Sequence, residues 1–464
     1  MAKFNVMSPT SCMGLVGIDE GAYKESFKYD LDAVAADAGS LDPGPYYLGA
    51  GAPHVPEFQM ANDCRIMMEG LSIKKTPIVM GSAGGSGGRP HIDWQLKIMD
   101  DVAKEMGKTF KVAVIDTTLD KEYLKERCRK EVIEGCQHDK VLTEQMIDEA
   151  TEIVAQIGVE ALVKGLETGA DIVLAGRAND NACFAAPAVM AGCEKGVALH
   201  AGKILECGSA SGIAKPGSTI MRTPMVASIE GNSFTIQPAT DDWYCTVRSV
   251  SGHEFYERTH PQIQAEPGGI LDMSASFKTQ VTDRAVKVTG SQWRDDPVSY
   301  KVKLEGARLV GYRSLFLVTA RDPNFIANLD YVFNWTRNRI DNKFGPMGLK
   351  MGKDYHVIFR LFGMNAAMGP LEPQANDYGH EIGIAMEIVA PTQELAHEIG
   401  YFGKYGMVWC NYPGRTTISG NVAYAYSPSV MNIAPAYELS VHHLLPVPAD
   451  QSLFPIRVVE VGKK

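Results

Sequence analysis

The sequence contains no run of about 18 apolar residues, the length a membrane-spanning helix requires, so no bilayer crossing is expected. It contains no basic stripe either. Lys and Arg number 45 against 55 Asp and Glu, a formal charge of −10, whereas a surface that tracks nucleic-acid phosphates needs clustered cations. There is no CxxC pair, and nine cysteines scattered over 464 residues make neither a disulfide framework nor a zinc knuckle. They read as buried thiols in a reducing compartment. Residues 1–6 lack a basic-then-apolar leader, so a cytoplasmic setting is expected. The eleven histidines are dispersed, and the adjacent pair His442-His443 would face opposite ways on a strand. The GxGxxG and P-loop spacings are missing too. An NAD-type oxidoreductase keeps only a glycine loop after a strand in its favour.

Glycine is what the chain has in excess: 45 residues, against an average usage of ~7%. Many cluster beside apolar runs, where backbone must approach something closely. The first two hundred residues alternate strand and helix signals. Asp32–Asp37, Thr76–Met80, Phe110–Ile115 and Asp171–Ala175 read as strands, with helices near 90–106, 121–135 and 143–168 between them. This pattern predicts an α/β fold with a mostly parallel sheet flanked by helices. After Pro216 the composition turns to alternating β-branched and aromatic segments, a β-rich region. Beyond Gly345-Pro346-Met347-Gly348 the signals predict a small C-terminal α+β unit with a last strand at Ile456–Val461. The length suits about three domains at roughly 150 residues each, with expected bounds 1–216, 217–345 and 346–464.

In parallel α/β sheets, ligands bind beyond the carboxyl ends of the strands. Four predicted strand ends carry unusual residues. The first holds Asp37, Ser40 and Asp42. The second is Gly81–Arg89, five glycines leading into a helix, where amides around Gly84, Gly85 and Gly87 could surround an anion and Arg89 could clamp a carboxylate or phosphate. The third is Asp116. The fourth is Gly176-Arg177-Ala178-Asn179-Asp180-Asn181, a cation, an acid and two amides. Helix capping accounts for one of the last three residues but not for Arg177. Glu206-Cys207 follows an apolar pair and offers acid–base or covalent chemistry, although a free Cys is more often a buried small hydrophobe. Ligand binding is thus assigned to Asp37, Ser40, Gly84, Gly85, Gly87, Arg89, Asp116 and Asn179. Catalysis is assigned to Arg177, Asp180, Glu206 and Cys207. The cofactor is unknown; a divalent metal could sit at the acid-bearing strand ends.

Four segments carry a family likeness: Asp37-Ala38-Gly39-Ser40-Leu41-Asp42-Pro43-Gly44-Pro45-Tyr46-Tyr47-Leu48-Gly49, Gly81-Ser82-Ala83-Gly84-Gly85-Ser86-Gly87, Gly176-Arg177-Ala178-Asn179-Asp180 and Gly202-Lys203-Ile204-Leu205-Glu206-Cys207-Gly208. Later ones are Gly363-Met364-Asn365, Gly369-Pro370-Leu371-Glu372-Pro373 and Tyr412-Pro413-Gly414-Arg415. In order and wording they resemble the acyclic terpene utilisation (AtuA-like) proteins. Terpene-pathway members tend to have His where this chain has Lys203, and Thr where it has Leu41 and Asn179, so the resemblance is to another branch. It implies catabolism of small branched acids or their thioesters, a small partner subunit and an oligomer. The reading is a lyase or isomerase of hydratase/dehydratase type acting on a small carboxylic acid or acyl thioester. The alternative is a non-catalytic ligand-binding or scaffold subunit of a heteromeric enzyme.

Overall fold

Five short apolar strands, Phe4–Ser8, Ala33–Asp37, Ile78–Gly81, Ile172–Ala175 and Phe110–Ile115, pair in that order, all parallel. Their side chains are buried almost throughout, as parallel strands covered on both faces require. The structure, a computed structural model, describes residues 3–39, 43–136, 140–296 and 298–463. It divides into two compact units, Met1–Arg308 with Leu439–Lys464, and Leu309–Glu438.

Alternation along the strands splits the first unit's core in two. Val6, Ala33, Ala35, Val79, Ala113 and Val173 pack with Leu162, Phe184, Leu199 and Ile204 from three helices, Val159–Glu167, Ala182–Met190 and Lys195–Leu205. Met7, Val34, Ala36, Met80, Val114 and Leu174 pack with Met60, Met67, Met99 and Val102 from the helices Glu57–Ile73 and Arg89–Glu105. The expected parallel sheet is therefore only the centre of a mixed one. On one side it continues antiparallel through Met225–Glu230, Ser233–Pro238, Val286–Thr289 and Phe277–Gln280; on the other, Ile456–Val461 pairs antiparallel with Phe110–Ile115.

Another difference falls at the expected helix over 143–168. Thr143 caps a helix only from Glu144 to Glu149, and Ala150–Gln156 then becomes a strand paired antiparallel with residues 303–308. Thr151, Ile153 and Val154 are β-branched, and a waiting partner strand outweighs the helical spacing of the apolar residues. The second unit is α+β. His356–Phe362, Ile382–Ala390 and residues 312–320 form an antiparallel sheet, and Phe316, Ile384, Met386 and Ile388 pack with Phe333 and Ile340 of Leu329–Phe344 and Ile399 and Met407 of Gln393–Val408.

Because the five central strands are parallel, Ser8, Asp37, Gly81, Ala175 and Ile115 all end at one rim of the sheet. The turns that follow them assemble the site.

Candidate functional site

Arg177 occupies the middle of this rim. Its backbone N–H donates to Thr117 Oγ1 at 2.7 Å, which ties the turn after Ala175 to the turn after Ile115. Its side chain, 5% exposed, donates from Nε to Glu305 Oε2 at 2.9 Å, and from Nη1 to Ser82 Oγ at 2.9 Å and Asp180 Oδ1 at 3.1 Å. Glu305 is fully buried and also meets the Lys303 ammonium at 2.8 Å. Burial alone would push the Glu305 carboxyl up; Arg177 and Lys303 outweigh it and hold it at about 2.

The turn after Asp37 presses onto the same cation. A Cβ at Gly39 would stand 2.3 Å from Ser82 Cβ and 2.8 Å from Arg177 Nη1, so only glycine fits. Asp37 is buried. One carboxyl oxygen accepts from Gly39 N at 3.0 Å, and the other has no partner among the described residues. Burial, reinforced by the charge of Asp180 and opposed by Arg177, raises its carboxyl well above the usual range.

On from Arg177, the same turn meets a second buried acid. Asn179 Nδ2 and Asn181 Nδ2 both donate to the Glu266 carboxyl, the latter at 2.6 Å, and Gln264 Nε2 adds a bond at 2.8 Å. These donors are neutral and leave the cost of burial uncompensated, so Glu266 is pushed up to about 7. Gly202 of the helix Lys195–Leu205 packs against the Asn181 carbonyl, so closely that a Cβ would lie 2.3 Å from it. That contact brings the end of the helix, with Lys203, Glu206 and Cys207, alongside the turn.

The Lys203 ammonium donates to Glu206 Oε1, with both side chains buried. Burial nonetheless lifts Glu206 to about 8, Lys203 resisting and Asp180 adding to the rise. Cys207 is pushed up to about 12 by burial and then by Glu206. His253, from the helix Val247–Glu254, comes to these two residues, and a donor atom from each of the three lies within 4.8 Å of the others. Burial and Lys203 push the imidazole down to about 4.

Arg177, Asp180, Asn179, Asp37, Glu206 and Cys207 are therefore brought together. Arg89 and Asp116 pair with each other. Arg89, whose side chain is 63% exposed, turns its guanidinium to Asp116 at 2.8 Å. The glycine loop is not an open cradle. The amides of Ser82, Ala83, Gly84, Gly85 and Gly87 donate to Gly176 O, Ala175 O, Gln95 Oε1, Ser82 O and Ala83 O, and the helix's first amide, Arg89 N, donates to Glu152 Oε2 at 3.1 Å. Gly87, at φ +70°, serves close packing: a Cβ there would stand 2.1 Å from Arg177 N. Ser40 and Asp42 lie outside the described residues.

Glu305, Glu266 and Glu152 were not singled out from the sequence as partners of these turns. Glu305 sits in Lys301-Val302-Lys303-Leu304-Glu305, where alternation assigns it to the exposed parity with the two lysines. An acid flanked by apolar residues in a long strand was the available signal.

The fold and the rim define a mixed α/β protein with a buried network of opposed charges at the carboxyl ends of its parallel strands. The family model for "Acyclic terpene utilisation family protein AtuA" matches residues 88–437, well over half of the chain, and the chain belongs to that family. Comparison with curated proteins and with solved structures gives no match. Among the described residues, no helix is long and apolar enough to cross a membrane.

Proposed function

We propose that this protein is a lyase or isomerase, most simply a hydratase or dehydratase, acting on a small carboxylic acid or acyl thioester in catabolism. One observation carries the reading. Asp180 is the partly exposed acid of the network, its side chain 32% accessible while that of Arg177 is 6% and that of Glu305 1%. A carboxylate that reaches solvent on one side and a fixed guanidinium on the other suits a base that removes a proton next to a carbonyl. Arg177 then steadies the enolate charge that develops. Its own orientation needs no rearrangement, because Glu305 and Ser82 hold it.

Glu206 and Cys207 fit that proton-moving role less well. Glu206 is buried and already bonded to Lys203, and burial keeps the Cys207 thiol protonated and weakly nucleophilic. The family name ties its members to the use of acyclic terpenes, which supports a small branched acid or its thioester as substrate. The free, buried thiols of Cys12, Cys64, Cys183, Cys245 and Cys410 support a reducing, cytoplasmic setting.

The test is a panel of branched unsaturated and 3-hydroxy acids and their thioesters, with turnover followed in the wild type and in Asp180→Asn. Loss of about 100-fold or more in kcat with KM little changed is the expected result. A variant within ~3-fold of wild type, about 0.7 kcal/mol, would sink the assignment.

The commitment of the glycine-loop amides to protein acceptors favours a second reading, a ligand-binding or scaffold subunit that acts with a small partner chain. Under that reading the isolated chain turns over nothing, and Asp180→Asn still supports activity once the partner is added.

A further inference from the structure

We infer that Glu206, Cys207 and His253 form a binding site for one divalent transition-metal ion of the zinc type. The residues come from two elements, the end of the helix Lys195–Leu205 and the last turn of Val247–Glu254. A carboxylate oxygen, a thiol sulfur and an imidazole nitrogen already lie within 4.8 Å of one another. Donors around one tetrahedral zinc-type ion stand roughly 3.3–3.7 Å apart, given bonds of about 2.0–2.3 Å, so a contraction of about 1 Å closes the trio on an ion.

A second observation points to a ligand. His253 is 7% exposed, and its Nε2 is buried with no hydrogen-bond partner among the described residues. Tyr256 stacks on the ring with centroids 5.8 Å apart. An imidazole that binds a metal offers the ion one unengaged nitrogen, and Nε2 is such an atom. Glu206 is oriented by Lys203 through Oε1, which leaves Oε2 for a metal bond.

The donor set selects the ion. Thiolate with imidazole favours zinc, cobalt or another late divalent metal over magnesium or calcium, which take oxygen ligands. Binding replaces the Cys207 thiol proton, which leaves to solvent. Carboxylate and thiolate together match the formal charge of the ion itself. Three protein ligands also leave a fourth position open to water or substrate. Metal binding at these three residues is read without turnover and so independently of the proposed reaction.

The full-length chain is stripped with a chelator, dialysed and titrated with Co²⁺ and with Zn²⁺. One equivalent of Co²⁺ should bind, with visible bands of four-coordinate cobalt and a thiolate-to-cobalt charge-transfer band, and Zn²⁺ should displace it. Cys207→Ser should lose the charge-transfer band, His253→Gln should weaken binding at least about tenfold, and Cys193→Ser should bind like wild type. Circular dichroism identifies a variant that fails to fold, and the wild-type charge-transfer band alone then decides. No stoichiometric binding, a spectrum without that band, or unchanged binding by folded Cys207→Ser and His253→Gln overturns the site.

Discussion

Glu305 and Glu266 are both buried, and both bond to the turn 177–181, yet one carboxyl is held at about 2 and the other pushed up to about 7. The difference lies in the partners. Glu305 faces the Arg177 guanidinium and the Lys303 ammonium, which favour its charged form. Glu266 faces three amides, and the cations that act on it, Lys203 and Lys195, act only at longer range. Burial sets the penalty, and a charged or neutral neighbour decides whether it is met. One short turn therefore carries a permanently ionised acid and another poised near neutrality.

The largest expected effect breaks the first half of this contrast. Arg177→Ala leaves Glu305 buried beside Lys303 alone, and a buried pair with one member removed costs about 3–5 kcal/mol. Denaturant unfolding near pH 7 measures it, and a loss under about 1 kcal/mol would mean that water reaches Glu305.

The next effect is the pH dependence of the two acids, which run in opposite directions. Glu305 is depressed below its unfolded value, so it contributes stability at pH above ~4.5 that disappears as pH falls through about 2. Glu266 is raised, so its contribution is complete below ~4.5 and is lost as pH rises through about 7. The unpaired shift corresponds to something on the order of 3 kcal/mol between pH 4.5 and 8. Glu266→Gln should remove that part of the slope, so the variant gains on wild type as pH rises. Parallel stability curves for the two proteins from pH 5 to 8 would refute the neutral-partner explanation.

A smaller change sharpens the packing behind Arg177. Gly87→Ala adds a Cβ against the Arg177 backbone at a positive φ, and about 1–3 kcal/mol of destabilisation is expected from the overlap. A Tm equal to wild type would show the loop free to move away.

The smallest effect belongs to Arg89→Ala. Its pair with Asp116 is largely exposed, and an exposed ion pair contributes about 0–1 kcal/mol. A loss above about 2 kcal/mol would show that Arg89 belongs with the buried network after all.

Much of the scaffold was legible in the residues. Apolar strand runs ended in Asp37, Gly81 and Gly176, and the parallel order carried those ends to one rim. The turn Arg177–Asn181 stood out because capping could not explain its cation. The strand Ala150–Gln156 was not legible, because its spacing suits a helix and its partner lies about 150 residues on, at 303–308. The partners of Arg89 were not legible for a related reason: a glycine loop before a helix looks the same whether an anion or the protein's own Glu152 receives the first amide.

The order of apolar runs and glycine turns determined by itself where strands would form and that charged turns would follow them, since backbone periodicity and glycine freedom are local properties. Only the tertiary structure decided which charges are answered. Glu305 reaches Arg177 across 128 residues, Glu266 reaches Asn181 across 85, and Glu152 reaches Arg89 across 63. An acid's ionisation depends on the neighbour that folding places against it, and no local pattern encodes that.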